Sequence, residues 1–176
     1  MYEKIMSKLS PTMTKWLKTF HVICACLWGG GAVCLVLLHW AVPTTSGDEL
    51  FARDLCMKFI DDWVVSSGAV GCLATGVIFS TVGGWGFFKF PWITAKFVMN
   101  TGFIGFGAIF FVPWLNKMAH LSDMERIAAL EDPIYLQSKF LNEMVAVGMA
   151  LSLFFLVWLT IFKPWGRREG KHHPKR

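Results

Sequence analysis

The sequence predicts an all-α integral membrane protein, an antiparallel four-helix bundle that forms a single membrane domain over residues 1–176. Three observations predict it: four long apolar stretches, short polar connections, and small residues spaced along the stretches. Of the 176 residues, 55% are hydrophobic and 15% are aromatic, which is more than a water-soluble chain of this length can bury. Apolar runs of roughly 20 residues are the signature of bilayer-crossing helices. The lipid bilayer is therefore the first partner that we expect.

Hydropathy predicts four spans, at about residues 16–42, 59–82, 92–115 and 140–162. Each is close to the roughly 20 residues that the hydrocarbon core requires, and short connections favour antiparallel neighbours. The longer connection before the last span is expected to hold a short surface helix at about 122–131. Ser122 and Glu125 have the spacing of a capping box at its start, and Pro133 follows its end.

Small residues recur along three of the predicted spans. They are Gly29 to Ala32 in the first span, Gly68, Cys72 and Gly76 in the second, and Gly102, Gly105 and Gly107 in the third. Helices in lipid are held together by close packing rather than by the hydrophobic effect, and small residues let their backbones approach. We therefore expect these residues to form the contacts between helices.

The positive residues indicate the orientation of the chain. Lysine and arginine are concentrated in the two tails, Met1–Lys15 and Gly166–Arg176, and Lys89 lies in the turn between the second and third spans. Cytoplasmic segments carry an excess of these residues, so both termini are expected in the cytoplasm. The formal net charge of +5 is explained by the tails, which contact anionic head groups. No nucleic-acid partner is expected.

Polar side chains inside the spans form two predicted layers. His21, Lys96 and Asn100 belong to the layer near the cytoplasmic face, and an ionisable residue inside a span is a candidate for function because its burial is costly. The outer layer contains His39, Asp61, Asp62, Asn142 and Glu143.

The outer layer has a plainer interpretation than the cytoplasmic one. At most one of Asp61 and Asp62 can face the bundle, because neighbouring residues on a helix point in different directions. Contact with water and with the helix dipole is the preferred interpretation of these acids. His39 lies beside Trp40, which favours membership of the interfacial belt.

The cytoplasmic layer predicts a binding site for a flat ligand. His21 and Trp28 are seven residues apart and share a helix face, with the small residues Cys24 and Ala25 between them. Histidine is a common axial ligand of haem iron, so His21 is a candidate metal ligand and Trp28 a candidate cofactor-binding residue. The ammonium of Lys96 could meet a porphyrin propionate. The alternatives are an interfacial His21 and a Lys96 that snorkels to the head groups.

Three motifs resemble the bacterial membrane-bound protoporphyrinogen IX oxidases. "WLKTFHVICACLW" resembles their first span, "FPWITAKF" their entry to the third span, and "FLNEM" the start of their last span. The likeness follows the four spans in order over roughly residues 15–163, and it extends to related small four-span families with no assigned function. It implies a four-helix bundle in the bacterial inner membrane that binds haem b, with His21 as axial ligand and Lys96 as a residue needed for activity.

The function that the resemblance implies is haem-b binding or porphyrin handling, with an oxidoreductase activity and quinone as the electron partner. The chain has Leu37 where those oxidases carry an arginine, so the resemblance implies the scaffold and the haem more directly than the oxidase reaction. Two alternatives remain open: a non-enzymatic membrane subunit and a small transporter without a cofactor. A homo-oligomer and a place in a larger membrane complex are equally open.

Overall fold

The computed structural model describes residues 9–82, 86–163 and 165. The described residues form four long helices and no strand: α1 (Pro11–Ala41), α2 (Gly47–Thr81), α3 (Pro91–Glu131) and α4 (Pro133–Phe162). All four helices are long and apolar enough to cross a membrane. The predictions of an all-α four-helix bundle and of a multi-pass membrane protein are confirmed. Most of the charged tail residues lie outside the described residues.

The helices begin at side-chain caps that the sequence supplies. Ser10 accepts a hydrogen bond from the Met13 amide at 3.2 Å at the start of α1. The Asp132 carboxylate accepts from two backbone amides at the start of α4. A capping box opens α2, where Ser46 and Glu49 each accept from the other's amide, at 3.3 and 3.2 Å. Such reciprocal bonds satisfy amides that the first turn leaves without partners.

The capping box predicted at Ser122 and Glu125 does not form. Ser122 is fully buried inside the last α-helical part of α3, and its hydroxyl donates to the Ala119 carbonyl at 3.3 Å. Val112–Glu125 is unbroken α-helix, so Ser122 lies inside it. The backbone departs from helical geometry at Arg126, where φ is 55°, and a short 3-10 helix follows over Arg126–Glu131. The short helical segment predicted here therefore begins at Arg126 rather than at Ser122.

Two helices contain a π-helical turn in their middle. In α2 the turn covers Asp61–Val65, and in α3 it covers Gly107–Phe111. A π-turn accommodates one extra residue, and such turns frequently occur at functional sites. Here both turns contribute to the wall of one small cavity.

Close packing joins α1 to α2. A Cβ atom added at Gly68 would lie 2.6 Å from the Trp28 amide nitrogen, and one added at Gly31 would lie 2.8 Å from a Val65 methyl carbon. The backbones therefore meet at Gly31 and Gly68, as predicted for these two residues. A Cβ on the other glycines predicted there, Gly29, Gly30 and Gly76, would meet no atom within 4 Å. The prediction is wrong for the third span: a Cβ on any of its three glycines (Gly102, Gly105 and Gly107) would meet no atom within 4 Å.

The two ends of the bundle are filled differently. The first half of α2, the second half of α3 and the start of α4 pack around fully buried side chains, namely Leu50, Met57, Leu115, Met118 and Tyr135. At the opposite end, where α1 and α3 begin and α2 and α4 end, the helices surround a cavity. The faces turned away from the bundle carry large exposed apolar side chains, such as Val98, Ile109, Leu151 and Ile161. These faces are suited to contact with lipid.

Candidate functional site

A cavity of about 750 Å³ lies between the four helices at the end where α1 begins. This volume falls within the range of small-molecule binding sites. The three residues that the sequence predicted as a site, His21, Trp28 and Lys96, all line it. They come from α1 and α3, so the fold brings together side chains that are distant in sequence.

The His21 imidazole is held in one orientation by Thr75 of α2. Its Nδ1 lies 2.6 Å from the Thr75 hydroxyl oxygen, and that hydroxyl donates in turn to the Gly71 carbonyl at 2.6 Å. Because a hydroxyl has one proton to give, Thr75 accepts from Nδ1–H of His21. The other ring nitrogen, Nε2, then carries the lone pair, and it makes no hydrogen bond to the described residues. A neutral imidazole with this tautomer is the form that ligates metals.

A second threonine anchors Lys96 in the same way. The Lys96 ammonium donates to the Thr160 hydroxyl of α4, and that hydroxyl donates to the Leu156 carbonyl at 2.7 Å. The ammonium also lies over the Trp92 ring, 5.4 Å from its centroid, in a cation–π contact. Lys96 is therefore held at the cavity wall by contacts from α3 and α4 together.

The charge of the cavity wall is positive. Lys18 and Lys163 line it in addition to Lys96, and the described residues that line it include no aspartate or glutamate. Most of the remaining wall is apolar, with side chains such as Phe79, Phe97, Leu153 and Phe154. An apolar ligand with carboxylate groups at one edge matches this combination of charge and surface.

Two buried polar atoms in the wall lack a hydrogen-bond partner. Trp28 is 3% exposed and its Nε1–H donates to no described residue, while Asn100 is 8% exposed and its Oδ1 accepts from none. Buried polar groups are nearly always satisfied, so each such exception calls for an explanation. One unpartnered donor and one unpartnered acceptor at the same cavity are groups that a ligand could satisfy.

The donor set fits a haem better than a bare metal ion. Among the described residues no group of three or more histidine, cysteine, aspartate or glutamate side chains could hold a metal ion. A haem carries its own four nitrogen ligands and asks the protein for an axial ligand only. His21 Nε2 meets that requirement, and the Phe79 ring packs edge-on against His21 with centroids 6.0 Å apart.

The outer polar layer corrects two interpretations made from the sequence. His39 is not an interfacial residue, because it is 8% exposed and its Nε2 bonds to Asn142 Oδ1 at 2.8 Å. Asp61 is not at a helix start, because α2 begins at Gly47, and it is buried at 3% exposure. As predicted, one carboxylate of the adjacent pair faces the bundle. Asp62 points outward and pairs with Lys58.

Sequence reasoning missed the side chains that hold the site together. Thr75 and Thr160 hold two of the titratable side chains of the cavity, His21 and Lys96. Lys163 adds positive charge to the same wall. The sequence did contain a signal, namely a threonine inside an apolar helix. The hydroxyl of such a threonine can donate to the backbone carbonyl four residues earlier. Finding the partner of each threonine required the rotation of two helices about their axes, which hydropathy does not give.

Comparison of the chain with family models, with curated proteins and with solved structures gives no match. The resemblance to the protoporphyrinogen oxidases therefore rests on the three motifs quoted above. The class that fold and site define is a four-helix membrane protein with a large cavity between its helices, lined by lysines and apolar side chains.

Proposed function

We propose that the large cavity binds haem b or a closely related porphyrin, with His21 as the axial ligand through Nε2. The observation that carries the proposal is the 2.6 Å contact between His21 Nδ1 and the Thr75 hydroxyl, which lies 2.6 Å from the Gly71 carbonyl. From these contacts we infer the tautomer of His21. Thr75 takes up Nδ1–H, so the lone pair of Nε2 is left for a ligand at the cavity wall. Histidine ligands to metals are characteristically oriented by a hydrogen bond of this kind at the other ring nitrogen.

The remaining wall residues would position the ligand and exclude water. Lys18, Lys96 and Lys163 offer cations to propionates, while Trp28 and the phenylalanines contact the apolar face. A bound haem supplies one-electron redox chemistry, and the protein tunes it by ligand, burial and hydrogen bonds. The corresponding activity is that of an oxidoreductase with quinone as electron partner, in which Lys96 is the catalytic residue and holds a proton at Nζ beside the ligand.

We further propose that the protein lies in the bacterial inner membrane with both termini in the cytoplasm. The excess of lysine and arginine in the tails and at Lys89 supports this orientation. The cavity would then lie in the cytoplasmic half of the bilayer. Reporter fusions at the two ends test the orientation, and export of either end would contradict it.

An optical spectrum of the purified protein, with and without dithionite, tests the haem. We expect a Soret band in the wild type, its loss in His21→Ala, and its retention in His39→Ala. Membrane insertion should be unchanged, because an apolar substitution only favours insertion of the span. Equal haem content in the wild type and in His21→Ala would overturn the ligand assignment. Featureless absorption in the wild type would favour the cofactor-free subunit or transporter.

The coordination of the iron gives a second test. His21 is the single imidazole among the described wall residues, and no methionine is among them. We therefore expect a ferrous haem in this cavity to keep an open axial position and to bind carbon monoxide, with a shift of the Soret band. A ferrous protein whose spectrum is unchanged by carbon monoxide would show that a second side chain ligates the iron.

A further inference from the structure

A second, smaller cavity of about 140 Å³ lies deeper in the bundle. The two π-helical turns, Asp61–Val65 of α2 and Gly107–Phe111 of α3, both contribute to its wall, and Met149 of α4 completes it. Both helices thus depart from α-helical geometry around the same space, and π-turns of this kind are rare and frequently occur at functional sites. The cavity therefore needs an account of its own.

Asp61 is the one acidic residue in the described wall of this cavity. Its side chain is 3% exposed and its Oδ2 has no hydrogen-bond partner. The nearby charged groups, Lys58 and Asp62, belong to the same helix and pair with each other at 2.5 Å. The wall residues contributed by α1, α3 and α4 carry no titratable group. A carboxylate in such surroundings is expensive to ionise, so the neutral acid with a bound proton is favoured.

Trp28 lines both cavities. Its ring packs edge-on against Phe103, with centroids 6.1 Å apart, and its Nε1–H has no partner among the described residues. The wall of the small cavity thus includes two residues with a buried polar atom that lacks a partner, the acceptor Oδ2 of Asp61 and the donor Nε1–H of Trp28. A cavity of this size with two such groups has the room and the partners that buried water requires.

We propose that the small cavity is a hydrated proton-binding site whose titrating group is Asp61, and that Trp28 links its state to the occupancy of the large cavity. Ionisable side chains inside membrane bundles characteristically form proton relays. Proton binding at Asp61 is independent of the proposed function. The link through Trp28 rests on that function, because it requires a ligand in the large cavity.

Infrared difference spectroscopy of the full chain in liposomes tests the proton. We expect a carbonyl stretching band of a protonated carboxylic acid that shifts in heavy water and disappears as the pH is raised. The band should be lost in Asp61→Asn and kept in Asp62→Asn, which is the matched control at the exposed neighbour. Persistence of the band in Asp61→Asn, or its absence from the wild type at every pH, would overturn the proposal.

Isotope labelling tests whether the proton is on an aspartate if Asp61→Asn fails to fold, and Asp61→Glu, whose band should not move with the label, then distinguishes Asp61 from the other buried aspartate, Asp54. In the wild type grown with aspartate that carries heavy carbon in its side-chain carboxyl, the band should move to lower frequency. An unmoved band would assign the proton to a glutamate and overturn the proposal. Loss of the band on adding sodium at constant pH would also overturn it, since that result identifies a cation site.

The link to the large cavity has its own readout. We expect the carboxylic acid band to differ in frequency between haem-loaded protein and haem-free His21→Ala, and the difference to vanish in Trp28→Phe. Equal frequencies in loaded and haem-free protein would disprove the link while leaving proton binding at Asp61 intact. The wild type could bind no haem while the carboxylic acid band is still present in His21→Ala. That result would contradict the proposed function and leave proton binding at Asp61 intact.

Discussion

His21 and His39 lie on the same helix and are held by opposite ring nitrogens. His21 uses Nδ1 to bond Thr75 and lines the large cavity. His39 uses Nε2 to bond Asn142 and lines neither cavity. The same side chain thus borders a cavity at one end of α1 and joins α1 to α4 at the other.

The two histidines also differ in whether the polar groups around them bond to one another. Near His39, the Arg53 guanidinium donates to Asp54 at 3.0 Å and to the Tyr135 hydroxyl at 2.9 Å, and that hydroxyl donates to Asp54 at 2.8 Å. This network is closed and buried. Near His21, polar groups surround open volume instead. Arg53, Asp54 and Tyr135 therefore satisfy one another, whereas the polar groups beside His21 border open volume. The pair of His39 and Asn142 is satisfied only in part, because His39 Nδ1 and Asn142 Nδ2 have no hydrogen-bond partner among the described residues.

The largest effect is expected from breaking the closed network. Asp54→Ala leaves the buried Arg53 without its carboxylate, and removing one partner of a buried pair costs about 3–5 kcal/mol. We expect a large loss of stability in thermal unfolding in detergent. Asp62→Ala is the control, because its pair with Lys58 lies at the surface, where such pairs contribute less than about 1 kcal/mol. Equal losses in the two variants would show that the network does not stabilise the fold.

A smaller effect is expected at the contact between α1 and α2. Gly68→Ala forces a methyl group against the Trp28 backbone, and overpacking of this kind costs about 1–3 kcal/mol. Gly76→Ala, two turns later on the same helix, meets no atom within 4 Å and lines the large cavity. We therefore expect Gly76→Ala to unfold at the wild-type temperature. A matching loss of stability in Gly76→Ala would contradict the packing described here.

The smallest effect is expected from the charge at the cavity. Lys96→Ala should weaken binding of haemin by about 1 kcal/mol, or roughly fivefold, because a contact with a propionate near water is modest. Titration of haem-free protein with haemin and with a porphyrin dimethyl ester measures the difference. The ester lacks carboxylates and should bind both proteins alike. Lys58→Ala, at a surface pair far from the cavity wall, should match the wild type with either ligand.

Much of the fold could be predicted because it depends on properties that a sequence displays locally. Apolar length indicated four membrane helices, and the spacing of seven residues placed His21 and Trp28 on one face of α1. The bond between His39 and Asn142 could not be predicted in this way. It depends on how far α1 and α4 are rotated towards each other, and nothing within either helix determines that rotation.

The small residues of the third span failed as a prediction for a related physical reason. Glycine permits close approach of another helix but does not determine that a helix packs there. At Gly68 another helix occupies the space, whereas at Gly102 the space stays open. The prediction of a capping box at Ser122 was wrong because the same residue types at the same spacing also occur in the interior of a longer helix. Ser122 is fully buried in such an interior.

The π-turn at Asp61–Val65 has a consequence for the whole of α2. Each residue advances a helix by about 100° around its axis, so one extra residue sets the angular phase between the two halves of the helix. The first half directs Asp54 towards Tyr135, and the second half directs Gly68 and Thr75 towards α1. Deleting a single residue from the turn would restore a continuous α-helix and swing one half out of phase with the other. The turn therefore sets the rotation between the two halves of α2, so that each half faces its own neighbouring helix.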